Sequence, residues 1–288
     1  MKNILFFGGS SMLAFMWSDL WKEKFNVFLG LNRRWVELEG TNSLQISNDS
    51  IDLKTILKKN QIDILINCSG LTGVEECEEK FTVANQLNGL LPGQLANIAS
   101  ELNIKFIHIS TDHLFDGTKK MYTEKDETNP LNNYALTKLL GETQVFQNNN
   151  DAIVIRTNFF GKGPNYKSSF SDKIISSLKK NKKITLFDNV YYTPIHINEI
   201  SEIVDILICN DVSGIFNISS NERITKYEFG LMIAKKLNFN PDLIIPIKIE
   251  QKKNLIIRPK DMSLSNEKIK KYTGRNISSL LNQIELIV

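Results

Sequence analysis

A chain of 288 residues, 42% hydrophobic and 23% charged, has the composition of a globular protein with a sizeable core. Its formal net charge of +3 argues against a nucleic-acid footprint or a membrane surface built on charge. No stretch approaches the ~18 uninterrupted apolar residues of a membrane span, and the apolar N-terminus breaks at Gly8-Gly9 with no small-residue cleavage site behind it. The three cysteines, Cys68, Cys77 and Cys209, fit no metal spacing and cannot all pair. The lysine-rich pieces (Lys179, Lys180, Lys182, Lys183; Lys268, Lys270, Lys271) read as solvated helix faces. The expectation is a cytoplasmic protein in a reducing compartment, with no metal, nucleic-acid or membrane partner.

In chain order, Ile4–Phe7, Val27–Leu31, Ile62–Ile66, Phe106–Ile109 and Ile153–Ile155 are short and nearly continuously apolar, as strands buried on both faces should be. Between them Met12–Lys22, Ile51–Lys59 and Leu87–Leu102 place apolar residues at helical spacing. A further helix begins at Tyr134, Asn148–Asn150 reads as a surface loop, and Ile215–Ile218 reads as one more strand. Strands alternating with helices predict βαβ units and a parallel sheet covered on both faces. The last third predicts helices at Phe170–Lys180, Lys226–Leu237 and Glu267–Tyr272, joined by irregular connections carrying Pro194, Pro241, Pro246 and Pro259.

The first strand runs into Gly8-Gly9-Ser10-Ser11-Met12-Leu13-Ala14 and then a helix. A dinucleotide site needs a tight turn there, a backbone that approaches the pyrophosphate, and a helix N-terminus whose free N–H groups favour the anion. Gly8 can supply the turn, Ser11 is small enough for the approach, and Ala14 permits close helix–strand packing. The motif is degraded, since Ser11 and Ala14 stand where glycines are usual, and a plain structural turn competes with the cofactor reading. Asn32-Arg33-Arg34 ends the second strand. An acidic residue there would bond a ribose 2′-hydroxyl, whereas arginines can pair with a 2′-phosphate, so the pair favours NADP(H) and leaves NAD(H) open. The fold class that follows is α/β, a Rossmann-type doubly wound parallel sheet with a smaller C-terminal lobe. Residues 1–160 form the NAD(P)-binding domain, with a returning segment near 190–220, and 161–288 form mainly the lobe.

Tyr134 and Lys138 stand four apart at the start of a helical pattern, which puts phenol and ammonium on one face. A nearby cation stabilises a phenolate, so such a tyrosine can give its proton to a carbonyl oxygen as hydride arrives at the carbon. By itself a Y-x-x-x-K pair is common by chance and is better read as an ordinary surface pair. His108-Ile109-Ser110-Thr111-Asp112, however, closes a buried strand and places Thr111 at its carboxyl end, where open α/β sheets bind ligands.

The segments STDHLFDG (Ser110–Gly117), NPLNNYALTKLLGE (Asn129–Glu142) and VIRTNFFG (Val154–Gly161) resemble those of dTDP-4-dehydrorhamnose reductases, members of the extended short-chain dehydrogenase/reductases. So do NCSGLTGVEECEE (Asn67–Glu79), LNGLLPGQLA (Leu87–Ala96) and RPKDMSLSNEKIKK (Arg258–Lys271), so the resemblance spans nearly the whole chain. It implies a catalytic triad of Thr111, Tyr134 and Lys138: Tyr134 as proton donor, Thr111 bonded to the substrate oxygen, Lys138 tuning Tyr134 and holding the nicotinamide ribose. It also implies a cofactor lined by Gly8, Ser10, Ser11, Met12, Leu13, Arg33, Arg34, Asn67, Cys68, Ser69 and Gly70, with Tyr134 and Lys138. It further implies that the C-terminal lobe binds substrate, with the sugar nucleotide expected between the lobes near Asp112, His113, Phe159, Tyr192 and Arg258.

The departures concern the substrate. His113 stands where these reductases usually carry tyrosine, and a buried structural histidine is the competing reading. Tyr191-Tyr192-Thr193-Pro194 replaces a glycine-bearing turn, Asp112 can serve as a structural cap, His196 is given no role, and Asp116-Gly117 reads as a turn. The leading expectation is an NAD(P)H-dependent reductase of a nucleotide-linked 4-keto-6-deoxy sugar, in surface-polysaccharide or nucleotide-sugar biosynthesis. The alternatives are a non-catalytic NADP-binding subunit like the regulatory subunit of methionine adenosyltransferase, and a sugar-nucleotide epimerase or dehydratase. The last is disfavoured because Asp112-His113 offers one carboxylate and no adjacent glutamate. A homodimer stays open.

Overall fold

The computed structural model describes residues 1–47 and 50–287. In chain order the elements are β1 (Asn3–Phe7), α1 (Met12–Trp21), β2 (Asn26–Leu31), β3 (Asn42–Gln45), α2 (Ser50–Lys59), β4 (Ile64–Asn67), α3 (Val74–Glu79) and α4 (Phe81–Ala84). A π-helical stretch at Asn85–Leu90 leads into α5 (Leu91–Glu101), followed by β5 (Lys105–Ile109), α6 (Asn133–Asn148), β6 (Ile153–Arg156), β7 (Phe159–Phe160), α7 (Phe170–Lys179) and β8 (Ile184–Phe187). The remainder is β9 (Tyr191–Tyr192), β10 (Ile195–His196), α8 (Ile197–Cys209), β11 (Gly214–Asn217), β12 (Ile224–Thr225), α9 (Lys226–Lys236), β13 (Ile244–Ile247), α10 (Glu267–Thr273) and α11 (Leu280–Glu285).

Two compact units divide the chain. The first is Met1–Thr111, Asn132–Arg156 and Val204–Phe216; the second is Asp112–Leu131, Thr157–Ile203 and Asn217–Val288. In the first, seven strands order as β11-β6-β5-β4-β1-β2-β3, and the ladders from β6 to β3 are parallel. This is the doubly wound α/β fold expected from the apolar runs. Alternation along β1 shows why both faces are covered. Leu5 and Phe7 face a core that includes Leu53 and Leu57 of α2, Leu91, Leu95 and Ile98 of α5, and Val145 of α6. Phe6 faces the other way, with ring centroids 5.6 Å from Trp17 and 6.2 Å from Trp21 of α1. Each such buried side chain contributes about 1.5–3 kcal/mol of transfer free energy. The order reverses where β1 lies between β4 and β2, the place where the first glycine turn emerges.

The second unit has its own core, built on Ile174 and Leu178 of α7, Leu186 of β8, Tyr192 of β9, Phe229 and Ile233 of α9, and Leu280 and Ile284 of α11. Three short two-stranded pairings, β10 with β7, β12 with β9 and β13 with β8, brace it. Capping boxes start α7 and α9: Ser169 with Asp172, and Thr225 with Glu228. Among the described residues no helix is long and apolar enough to cross a membrane.

The predicted strands stand within two residues of their observed bounds. The helix predicted over Leu87–Leu102 is two segments, because the Asn85–Leu90 portion widens to π geometry before α5 begins. Asn148–Asn150 is not simply a surface loop: Asn148 ends α6, and Asn149 is buried with its Nδ2 donating to the Ala96 carbonyl at 3.3 Å. Helix α8 was not predicted, although Ile197, Ile200, Ile203, Val204, Leu207 and Ile208 carry a clear three- and four-residue period. β3 has no such signal: Asn-Ser-Leu-Gln is a polar edge strand with no buried residue.

Candidate active site

The turn after β1 is wedged between two strand ends. Gly8 adopts φ +79°, and a Cβ there would lie 2.9 Å from the Cα and N of Ser69, just past β4. A Cβ on Gly9 would lie 2.9 Å from Cα of Leu29, and the Gly9 N–H donates to the Gly30 carbonyl at 2.9 Å. Neither position admits a side chain without displacing β2 or β4. Ser11 has a more definite job than leaving room. It is the N-cap of α1, its Oγ accepting from Ala14 N at 3.2 Å. Ser10 and Met12 are half-buried, Leu13 and Ala14 are buried, and Arg33 and Arg34 are exposed just beyond the end of β2. The compact glycine turn, capped helix start and exposed arginines are a set able to cradle a pyrophosphate and meet a 2′-phosphate.

Helix α6 carries the tyrosine and lysine. Asn132 caps it, Oδ1 accepting from Ala135 N at 3.0 Å. The Glu78 carboxylate receives both the Asn133 N–H at 2.7 Å and its Nδ2 at 2.6 Å, placing a negative charge at the helix N-terminus. Gly141 permits the close crossing behind: a Cβ there would stand 2.2 Å from the Asn88 carbonyl oxygen in the π-helical stretch. Asn88 in turn receives the Leu71 N–H at 2.8 Å and donates to the Leu71 carbonyl at 2.9 Å and Thr137 Oγ1 at 3.2 Å. The loop after β4 is thereby tied to α6.

Tyr134 is the second residue of α6 and is 9% exposed; Lys138, one turn on, is 5% exposed. The Lys138 ammonium donates to the Ile109 carbonyl at 2.6 Å, at the carboxyl end of β5 and two residues before the buried Thr111. The Oγ of Ser110, next to Thr111, is buried with no partner among the described residues. His108 Nε2 lies 3.5 Å from Lys138 Nζ, and His108 Nδ1 lies 3.1 Å from Asn67 Nδ2. Burial pulls Lys138 down to about 8, with Glu142 and Cys68 opposing. Burial and then the Lys138 charge hold His108 well below its usual range. Glu142 is itself committed to Arg156, at 3.0 and 3.2 Å to Nε and 2.7 Å to Nη2. Cys68, half-buried, has its thiol pushed up by burial, and the buried Cys77 is pushed to about 11, chiefly by burial; Cys209 is exposed.

The second unit holds a separate polar cluster. Asp112, 1% exposed, accepts from Asn158 Nδ2 at 2.7 Å. His113 is lowered first by burial, then by the Lys226 and Arg258 charges, with Asp112 acting the other way. The Tyr192 hydroxyl is buried with no partner among the described residues, and burial, then Asp112, raises it well above the usual tyrosine range. Lys226 Nζ sits 3.3 Å from the Tyr192 ring centroid and 5.2 Å from that of Phe170. Burial brings Lys226 to about 8 despite Asp112. Phe159 and Arg258 are half-buried, and Arg258 Nε donates to the Ile256 carbonyl at 3.3 Å. His196 packs edge-on against Phe160, its ring centroid 5.2 Å away. Asp116 makes the turn as read, accepting from Thr118 N at 3.0 Å and Thr118 Oγ1 at 2.7 Å. Among the described residues no group of His, Cys, Asp or Glu is placed to hold a metal ion.

Sequence reasoning passed over Glu78, Asn88, His108 and Lys226. Asn88 and Glu78 lie inside the quoted motifs, and Lys226 opens the helix predicted over Lys226–Leu237, one residue after the Thr of a T-x-x-E capping box that could have marked it. His108 had no signal beyond being polar in an apolar strand.

The parallel sheet, glycine turn, and tyrosine and lysine on one helix beside the β5 end define a Rossmann-type dinucleotide-binding protein of the extended short-chain class. The chain belongs to the RmlD substrate binding domain family, which it matches over residues 1–288. It is 33% identical over 193 residues to the probable low-salt glycan biosynthesis reductase Agl14 of Haloferax volcanii, covering 66% of this chain and 64% of that one. It is 29% identical over 225 residues to methionine adenosyltransferase 2 subunit beta of Rattus norvegicus, covering 76% of this chain and 66% of that one. The chain thus spans just under two thirds of the length of these curated relatives. The crystal structure of a hypothetical dTDP-4-dehydrorhamnose reductase from Sulfolobus tokodaii superposes with a TM-score of 0.84 at 29% identity, covering 98% of this chain and 99% of that one.

Proposed function

We propose that this protein reduces the keto group of a nucleotide-linked 4-keto-6-deoxy sugar with a nicotinamide cofactor, NADP(H) in preference to NAD(H), in glycan precursor synthesis. The observation that carries the reading is the 2.6 Å bond from Lys138 to the Ile109 carbonyl, which anchors the tyrosine-bearing turn of α6 at the end of β5 beside Thr111. Gly8, Ser10, Ser11, Met12 and Leu13 would cradle the cofactor pyrophosphate, and Arg33 and Arg34 the 2′-phosphate. Asn67, Cys68, Ser69 and Gly70 would line the nicotinamide half. When bound, the reduced nicotinamide supplies the hydride. Tyr134 gives its phenolic proton to the substrate oxygen, and the Thr111 hydroxyl donates to the same oxygen. Lys138 holds the cofactor ribose and returns a proton to Tyr134.

In this reading the second unit takes the sugar nucleotide through Asp112, His113, Phe159, Tyr192 and Arg258. Lys226 joins them. A desolvated ammonium lying on an aromatic ring, with no ion pair to a described carboxylate, is suited to an anionic ligand. The substrate diphosphate meets that demand.

The test is a panel of nucleotide-diphosphate 4-ketosugars offered with NADPH and with NADH. Turnover of at least one sugar, faster with NADPH, is expected. Cofactor binding without turnover of any member would overturn the reductase assignment. A second reading, a regulatory subunit, is favoured by the relation to methionine adenosyltransferase 2 subunit beta. Co-purification with a larger enzyme whose kinetics change on adding this chain would support it.

A further inference from the structure

We propose that Asn67 and His108 are positioning residues for Lys138: Asn67 locks His108 in the tautomer with its proton on Nε2, so the ring turns an N–H rather than a lone pair toward the lysine. The inference rests on the reading above for its catalytic meaning, but its structural content stands on three fully buried or nearly buried side chains.

The orientation of the Asn67 amide is decided by its other partner. Its Oδ1 receives the Ser69 backbone N–H at 3.0 Å and the Ser69 hydroxyl at 2.6 Å. A backbone N–H can only donate, so the atom facing it is the carbonyl oxygen. The amide NH2 therefore faces His108, donating to Nδ1 at 3.1 Å. A flipped amide would oppose donor to donor at Ser69. With Nδ1 accepting, the neutral ring carries its proton on Nε2. That ring is neutral because it is fully buried and faces the Lys138 charge.

The consequence falls on Lys138. Its Nζ donates to Ile109 O at 2.6 Å and meets His108 Nε2 at 3.5 Å. An ammonium there faces an N–H dipole end-on, whereas a free amine offers that N–H a lone pair. Lys138 is also faced by Cys68, whose thiol burial keeps protonated, and by Glu142, whose charge is shared with Arg156, while Tyr134 stands four residues before it on the same helix. The locked tautomer adds to desolvation in making Lys138 release its proton readily. In the catalytic cycle the Nζ–H bond breaks as the Tyr134 O–H bond re-forms, the electron pair stays on Nζ, and the amine then takes a proton from water. The opposite tautomer would offer Lys138 an acceptor and keep it charged to higher pH.

The experiment has two arms. In the ligand-free protein, nitrogen-15 NMR of histidine reads the tautomer of His108, and carbon-13 labelled lysine reads the titration of Lys138. Expected are a pyridine-type Nδ1 and a pyrrole-type Nε2, and a Lys138 midpoint that rises by about one pH unit in His108→Gln, whose side chain can present an oxygen. Asn67→Asp, which accepts from Nδ1–H and so reverses the tautomer, should shift it the same way. A proton on Nδ1 in the parent protein, or an unmoved midpoint in folded variants, overturns the proposal. The second arm is the pH profile of ketosugar reduction, whose alkaline limb should move up with the midpoint. If the midpoint shifts and no ketosugar is turned over, the reductase reading falls and the tautomer lock stands.

Discussion

At Tyr134 the phenol is the acid of the proposed reaction, so Tyr134→Phe should lower kcat by about 10²–10⁴-fold while the NADPH dissociation constant stays within about two-fold. Steady-state kinetics beside fluorescence titration of the cofactor checks this; equal turnover excludes the tyrosine. Lys138 gives the pH dependence. Below about pH 8 it is an ammonium and supports proton delivery, and above it the charge is lost, so reduction should decline as pH rises through about 8. Lys226 makes a paired prediction. Its proton is held less tightly in the folded chain than the ordinary 10.5, so the stability present above about pH 10.5 is lost as pH falls through about 8. Lys226→Met should therefore stabilise the protein near pH 7, on the order of 1–3 kcal/mol in urea unfolding. The same change should weaken sugar-nucleotide binding roughly ten-fold. Tyr134 and Lys138 were legible because a helix brings residues four apart together. Asn67 was legible as a cofactor-lining residue, but its pairing with His108 was not, because β5 and β4 are adjacent in the sheet and far apart in sequence.

Among the elements, α6 depends on the glycine at its crossing with the π-helical stretch. Gly141→Ala should force the helix away from Asn88 and cost about 1–3 kcal/mol. The same displacement would carry Tyr134 and Lys138 with it, so kcat should drop more than stability alone explains, which kinetics well below the melting temperature would reveal. Glu142→Gln tests the buried pair with Arg156, and loss of one partner should cost about 3–5 kcal/mol in denaturant titration. The helix itself was visible from its apolar period. Its crossing was not, since no local pattern says which glycine faces a backbone carbonyl. Nor did sequence distinguish a helix beginning at Leu87 from one that passes through π geometry and restarts at Leu91.

At the scale of the whole molecule, each unit is assembled from three separate stretches of chain. Strand β11 joins the sheet beside β6 although much of the second unit intervenes in sequence. A fragment ending near residue 160 therefore lacks Val204–Phe216 and leaves β6 as a bare apolar edge, so it should aggregate on expression where the full chain elutes as a discrete species in size-exclusion chromatography. The alternating runs made the parallel sheet readable, whereas the interleaving of the units depends on pairings that span much of the sequence. The uneven burial of the three cysteines has a practical consequence. Only thiolate reacts readily, and burial raises the Cys68 and Cys77 thiols, while Cys209 is exposed on α8. A maleimide dye should thus couple once per native chain, giving a spectroscopic reporter at a defined site with no engineering of the sequence.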